Sequence, residues 1–291
     1  MKIYSFLLLF TLFISHNFTI DTSTDRQEKF IQLYKIKTED RLKKENIKNL
    51  IHYAKMCQAA FKSDEHIHNL YPEVTIINGT KYKSKAFIKF DHENQHQDII
   101  IRGSDNFKNW IENAKIFKRK DRWARGVKTH IGFHNTAKEL LLLVKEKLNR
   151  NYTTTVSGHS LGGSTAVLLG LYLEHFKFEK VNVLSFGQPR ITNKKGAHKL
   201  LDFPVKRVIH EDDIVTKLVP KALSYRHFGQ LFTLSGYKFA KDSFVEPNNV
   251  DSERVTKAWS QLEAGEIEVQ TNFKSHNIIN YLKRLHALST K

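Results

Sequence analysis

The period of apolar positions changes several times along this chain, and each change marks an expected element. Between Arg26 and Phe61, apolar residues recur at helical spacing within a Lys-, Glu- and Leu-rich background, which predicts one or two surface helices. Ile47, Leu50, Ile51, Ala54 and Phe61 form that pattern with Cys57, so the cysteine reads as a packed small hydrophobe and not as a nucleophile. Short β-rich runs follow. Ala86 to Phe90 and Asp98 to Arg102 predict strands on either side of the polar turn DHENQHQ. The run Ile99-Ile100-Ile101 lacks alternation, as a strand buried on both faces does.

After a basic stretch the order becomes repetitive. Asn135 to Leu148 has the period of a helix, Tyr152 to Ser157 is a Thr/Val-rich strand, and Leu161 to about His175 is a helix again. The strand Val181 to Phe186 comes next, and Val205 to His210 follows a second helical stretch. Strands alternating with helices predict βαβ units. The expected fold class is therefore α/β, with a mostly parallel central sheet covered by helices on both faces. In such sheets ligands gather at the carboxyl ends of the strands.

Composition adds limits. A chain of 291 residues with 40% hydrophobic and 26% charged residues can bury one large core, and no Pro-rich or Gly/Ser-rich linker divides it. The opening MKIYSFLLLFTLFIS has an early lysine and an apolar run from Phe6 to Ile14, too short to span a bilayer comfortably. It predicts a signal peptide over residues 1–22, hence secretion, or an uncleaved N-terminal anchor, with one domain over residues 23–291. The single cysteine allows no disulfide within the chain.

The formal net charge of +17 attracts polyanions, either nucleic acid or an anionic membrane surface. A local cluster runs through Lys115, Lys118, Arg119, Lys120, Arg122, Arg125 and Lys128. A solvated face and a partner-binding patch are both compatible with it. No zinc-finger spacing, RNA-binding aromatic motif or helix-turn-helix signature is present, so specific nucleic-acid binding is not expected.

The sharpest chemical signal is Gly158-His159-Ser160-Leu161-Gly162, a G-x-S-x-G between a strand and a helix. A serine there sits on a sharp turn that aims its hydroxyl into the open, and side chains at the flanking glycines would strike neighbouring backbone. The helix N-terminus that follows offers unpaired N–H groups, above all that of Leu161, to a developing oxyanion.

With this block the chain resembles the class 3 (fungal-type) lipases, members of the α/β-hydrolase superfamily. The resemblance runs from about Ile47 to Leu282 through six ordered blocks. They are IRGSDNFKNW (Ile101 to Trp110), THIGF (Thr129 to Phe133), GHSLGGSTA (Gly158 to Ala166), FGQPR (Phe186 to Arg190), DIVTKLVP (Asp213 to Pro220), and His276 with Tyr281 downstream. It implies an α/β-hydrolase fold and cleavage of carboxylic esters, usually of lipids.

A serine hydroxyl needs a base within reach and a carboxylate to hold that base, in this fold in the order Ser, Asp or Glu, His. Glu211, Asp212 and Asp213 all end one strand, and the residues alone do not rank them. The resemblance selects Asp213, which stands before the apolar-x-x-Leu-x-Pro stretch. Of the downstream histidines His227, His276 and His286, it selects His276 as the base. It also assigns an oxyanion donor to Ser104, besides the Leu161 N–H, and implies packing or hydrogen-bonding roles for His130 and His159. Asn113 departs from the family, in which many members carry Asp. The segment Asn113 to Lys128 takes the place of the family's lid, where Ile116, Phe117, Trp123 and Val127 among basic residues suit an element drawn to anionic lipid. No metal or organic cofactor is implied. The implied activity is hydrolysis of lipid esters. The alternatives are an esterase for non-lipid esters and an inactive hydrolase fold that binds membranes through its basic surface.

Overall fold

Two of the expected strands pair antiparallel and the later ones parallel, so one sheet gathers nearly every β-rich run of the chain. The computed structural model describes residues 44–104, 117–210, 213–217, 224–234 and 274–290, all within the compact unit Asp40–Lys291. The segment expected to target the chain, residues 1–22, lies outside them, as does the part of the predicted helical run that precedes residue 44.

Among the described residues the main sheet has seven strands: β1 (Thr75–Asn78), β2 (Lys85–Asp91), β3 (His96–Ile101), β6 (Thr153–His159), β7 (Val181–Phe186), β9 (Val205–Ile209) and β11 (Gln230–Thr233), in that spatial order. β1, β2 and β3 run antiparallel, and every pairing from β3 to β11 is parallel. Antiparallel neighbours need only a short turn, whereas the parallel part requires crossovers, which the helices supply.

Side chains of each strand divide between two cores. On one face, Ile99, Ile101, Val156, Val183 and Val205 pack with α3 (Ile131–Val144) and α4 (Leu161–His175). On the other, Ile100, Leu184, Val208 and Phe232 pack with α1 (Lys44–Ala59) and α6 (Ile278–Ser289). The short helices α2 (Asp64–Leu70) and α5 (Lys194–Lys199) complete the described helices. Two-sided burial explains the unalternated isoleucines of β3. It also makes α1 a core helix along one side, with Ala54, Met56 and Cys57 almost fully covered, rather than a helix lying on the surface. Cys57 packs as a small hydrophobe, its Sγ 3.5 Å from Ser157 Oγ.

Boundaries differ from the sequence reading where capping or pairing overrides periodicity. α3 starts at Ile131 instead of Asn135, because His130 caps it: its Nδ1 accepts the Gly132 N–H at 3.2 Å. Leu148 keeps the helical phase and packs in the core, yet it follows the end of the helix at Val144. β6 continues to His159 because its ladder with β7 does, His159 standing opposite Phe186. A second, four-stranded sheet had no apolar signature to announce it: β10 (Tyr225–Arg226), β8 (Thr192–Asn193), β5 (Val127–His130) and β4 (Lys118–Asp121), in that order. No helix among the described residues is long and apolar enough to cross a membrane.

Candidate active site

β6 and α4 meet at Ser160 in a turn tight enough to force a non-glycine residue to φ +60° and ψ −127°. Such a conformation costs on the order of 1–3 kcal/mol and persists where its surroundings over-determine it. Here the Ser160 N–H is fixed to the Phe186 carbonyl at 2.9 Å, and α4 begins at once with Gly163 N–H to Ser160 O at 3.0 Å. A Cβ on Gly158 would drive into the backbone of Gly162, and one on Gly162 into the carbonyl of Ile101. The glycines of the motif are thus required by close approach, as the sequence predicts.

Ser160 is not held in the open as expected. It is only 4% exposed, and its Oγ is buried without a hydrogen-bond partner. The neighbouring His159 is flanked both by Gly103, whose Cβ would lie 2.8 Å from the His159 carbonyl, and by His276, with ring centroids 4.6 Å apart.

Across the carboxyl end of the sheet, Asp213 follows β9 and is fully buried. Its Oδ2 accepts from His276 Nδ1 at 2.8 Å and from the Tyr281 hydroxyl at 2.6 Å, while Oδ1 accepts the Val215 N–H at 2.9 Å. Burial pushes the carboxyl upward. The charge interaction with His276, then the hydrogen bonds from His276 and Tyr281, outweigh it and hold the group below the usual carboxylate range. Burial and the Asp213 charge raise the Tyr281 phenol well above its usual value, so it stays a donor.

His276 lies in a 3-10 turn, Lys274–His276, just ahead of α6, which Asn277 caps through Oδ1 to the Ile279 N–H. Tyr281 comes from the first turns of that helix, so one local fold delivers both partners to Asp213. Beneath them lies Gly187, at φ +58°, where a Cβ would stand 2.8 Å from Asp213 Oδ2, 3.0 Å from the Tyr281 hydroxyl and 3.2 Å from His276 Cε1.

Ser104 is half-buried on the loop after β3, next to Gly103, so it borders the elbow. The Leu161 N–H stands at the start of α4, ahead of the first intrahelical bond. Two of the other histidines have structural partners. His159 donates from Nε2 to the His276 carbonyl at 2.7 Å, and burial, then the His276 charge, pushes its imidazole down to about 3. His227 Nε2 lies 2.8 Å from the Thr216 carbonyl, and His286 is exposed on α6. Glu211, Asp212 and Asn113 lie outside the described residues. No three His, Cys, Asp or Glu side chains among the described residues are grouped to hold a metal ion.

The segment read as a lid is different in its described part. Residues 118–130 form the β4–β5 hairpin, and its apolar anchors point inward: Val127 is buried, while Trp123 meets Tyr172 and Phe176 edge-on at 5.5 Å each. Arg125 is engaged by both carboxylate oxygens of Glu174 at 2.8 Å and by Asp202 at 2.6 Å. Asp121, 1% exposed, pins the hairpin by accepting from His134 Nδ1 at 2.8 Å, the Tyr172 hydroxyl at 2.5 Å, Thr129 Oγ1 at 3.3 Å and the N–H groups of Trp123 and Ala124. Phe117 remains 66% exposed, and Ile116 lies outside the described residues.

Sequence reasoning did not identify the work of two residues here, Gly187 under the carboxylate and Tyr281 as its second donor, and gave His159 a packing or hydrogen-bonding role without its partner, His276. Tyr281 carried a signal, since it stands in the same block as His276.

Comparison with known proteins bears on this arrangement. Residues 99–223 match the family described as lipase (class 3). A secreted mono- and diacylglycerol lipase of Fusarium solani is 30% identical over 177 residues, 58% of this chain and 53% of that protein. A lipase of Rhizomucor miehei is 29% identical over 166 residues, 53% of this chain and 46% of that protein. The chain thus spans about half the length of these curated relatives. The structure of lipase II from Rhizopus niveus superposes with a TM-score of 0.60 at 20% identity, covering 71% of this chain and 88% of that one. This likeness is one of fold: an α/β architecture on a mostly parallel sheet. By these matches, residues 99–223 are similar to the class 3 lipases, and the chain shares the fold of the solved fungal lipases.

Proposed function

We propose that this chain is a serine hydrolase that cleaves carboxylic esters of lipids. The reading rests above all on one observation: Asp213 Oδ2 holds His276 Nδ1 at 2.8 Å, over Gly187, the residue after the Phe186 whose carbonyl receives the Ser160 N–H. In this reading Asp213 fixes the tautomer of His276 with the proton on Nδ1, which leaves Nε2 to take the proton of Ser160 Oγ. Ser160 then attacks the ester carbonyl, and the N–H groups of Leu161 and Ser104 receive the oxyanion. His276 returns the proton to the leaving alcohol. Water, deprotonated by the same imidazole, releases the acid and restores Ser160. The buried hydroxyl without a hydrogen bond is compatible with this sequence, since catalytic bonds in substrate-free enzymes often tighten only with substrate.

Relatives named as secreted mono- and diacylglycerol lipases support acylglycerols as substrates and secretion as the fate of the chain. An anionic membrane surface is the proposed site of action. Arg119, Lys120, Arg122 and Lys128 are exposed around the β4–β5 hairpin, beside the exposed Phe117.

The test compares emulsified long-chain acylglycerols with soluble short-chain p-nitrophenyl esters. Preference for the emulsified substrate supports a lipase. Preference for the soluble one transfers the assignment to an esterase, and turnover of neither contradicts the enzyme.

A further inference from the structure

His159 is the last residue of β6, one position before Ser160. Ser157, two positions earlier, meets Cys57 of α1, so His159 turns to the same face of the sheet, where α1 and α6 lie. It is 5% exposed, and three rings surround it. His276 stands 4.6 Å away between centroids, with Tyr281 at 5.9 Å and Phe61 at 6.2 Å, the last two edge-on.

A phenyl ring would serve that packing as well. The imidazole adds a polar tie: Nε2 lies 2.7 Å from the main-chain carbonyl of His276, and since a carbonyl only accepts, Nε2 carries the hydrogen. Nδ1 is then bare, and it is buried without a hydrogen-bond partner among the described residues. Burial first, then the charge interaction with His276, keeps this ring neutral, so it sets no like charge against an imidazolium forming on His276.

The same residue adjoins two other parts of the proposed site. Its carbonyl packs on Gly103, where a Cβ would stand 2.8 Å away, so the loop leading to Ser104 rests on it. Its peptide bond runs directly into Ser160, held at φ +60°. Asp213 grips His276 by the side chain, at Nδ1. A ring gripped there alone still swings with its own main chain, whereas a second grip on the carbonyl fixes that main chain to the strand carrying Ser160.

We propose that His159 is a positioning residue for the base: the bond from its Nε2 to the His276 carbonyl sets the direction of His276 Nε2 toward Ser160 Oγ. This role rests on the triad proposed above.

Turnover of p-nitrophenyl butyrate by the full chain is measured for wild type, His159→Phe, His159→Gln and Ser160→Ala. The phenylalanine keeps the ring and loses the donor. The glutamine loses the ring and keeps an amide N–H at the reach of Nε2. A displacement of the base by about 1 Å costs about 10²-fold in rate. The expected result is therefore a kcat about 10²-fold lower in His159→Phe with KM little changed, about tenfold or more of it regained in His159→Gln. A packing role alone predicts the opposite order, because phenylalanine replaces the ring more closely, and that order overturns the proposal, as does wild-type kcat in both variants. Should His159→Phe fail to fold, His159→Asn takes its place, its amide reaching only as far as Nδ1. A kcat well below that of His159→Gln then supports the role, and an equal one overturns it. Ser160→Ala separates the two readings. If it is inactive while the His159 variants match wild type, the positioning role alone falls; if it turns over like wild type, the triad falls and this role with it.

Discussion

Gly187 lies directly against Asp213: a Cβ at the glycine would stand 2.8 Å from Oδ2, the oxygen that receives both His276 and Tyr281. The glycine also sits at φ +58°, where an L side chain is strained. Gly187→Ala therefore combines backbone strain with overpacking of a closed polar cluster. The expected cost is about 2–5 kcal/mol of stability, from ~1–2 for the conformation and ~1–3 for the contact. Chemical denaturation of the variant measures it, and a loss under 1 kcal/mol contradicts the packing described.

Tyr281→Phe removes one hydrogen bond to a buried carboxylate and leaves the ring. About 1–3 kcal/mol of stability is expected to go with it. The pH dependence has a definite sign. Asp213 is held below its ordinary value in the folded state, so its contribution is present above the unfolded value of about 3.9 and is lost as pH falls through the folded one. Without the tyrosine the folded value rises, and acid unfolding of the variant begins at a higher pH. If the proposed triad operates, kcat falls about tenfold, equivalent to ~1.4 kcal/mol, with KM little changed. Identical acid transitions for wild type and variant refute this role.

Asp121 organises a separate cluster, so its loss separates folding from chemistry. Asp121→Ala leaves His134, Tyr172 and Thr129 without their shared acceptor and releases the hairpin, at an expected cost of about 3–5 kcal/mol. Burial pushes this carboxyl up, but the hydrogen bonds from His134 and Tyr172 hold it below its ordinary value. Its contribution too is present above the ordinary carboxylate range and disappears on acidification. Denaturation at a series of pH values is expected to keep wild type and variant apart from pH 7 down to about pH 4 and to bring them together only below the ordinary carboxylate value of about 3.9. Turnover of a soluble ester per folded molecule is expected to stay unchanged, and a selective loss of turnover places Asp121 in the site after all.

The fold was legible wherever one element decides its own period. The run Ile99-Ile100-Ile101 faces two cores, and Val181 to Phe186 forms a strand with the bounds its sequence suggests. The second sheet was not legible, because β4 reads Lys-Arg-Lys-Asp and is held by pairing with β5 and by Asp121 rather than by an apolar face. The same distinction governs the site. Ser160 announces itself because its constraint is local: two glycines within two residues on either side of a turn. Asp213 was singled out from Glu211 and Asp212 only through the family resemblance, since nothing local distinguishes three adjacent carboxyls. The contacts of Tyr281 with Asp213 and of His159 with His276 join residues 68 and 117 positions apart, and no spacing rule reaches that far.

The account turns on Ser160 as a nucleophile activated by His276. Incubation of the wild-type chain with a fluorophosphonate, followed by peptide mass mapping, tests it most directly. The prediction is a single phosphonyl adduct on the Ser160 peptide, lost in Ser160→Ala and slowed about 10³-fold or more in Asp213→Asn, where His276 no longer has its tautomer fixed. An adduct on another serine, or none on a folded wild-type protein, contradicts it.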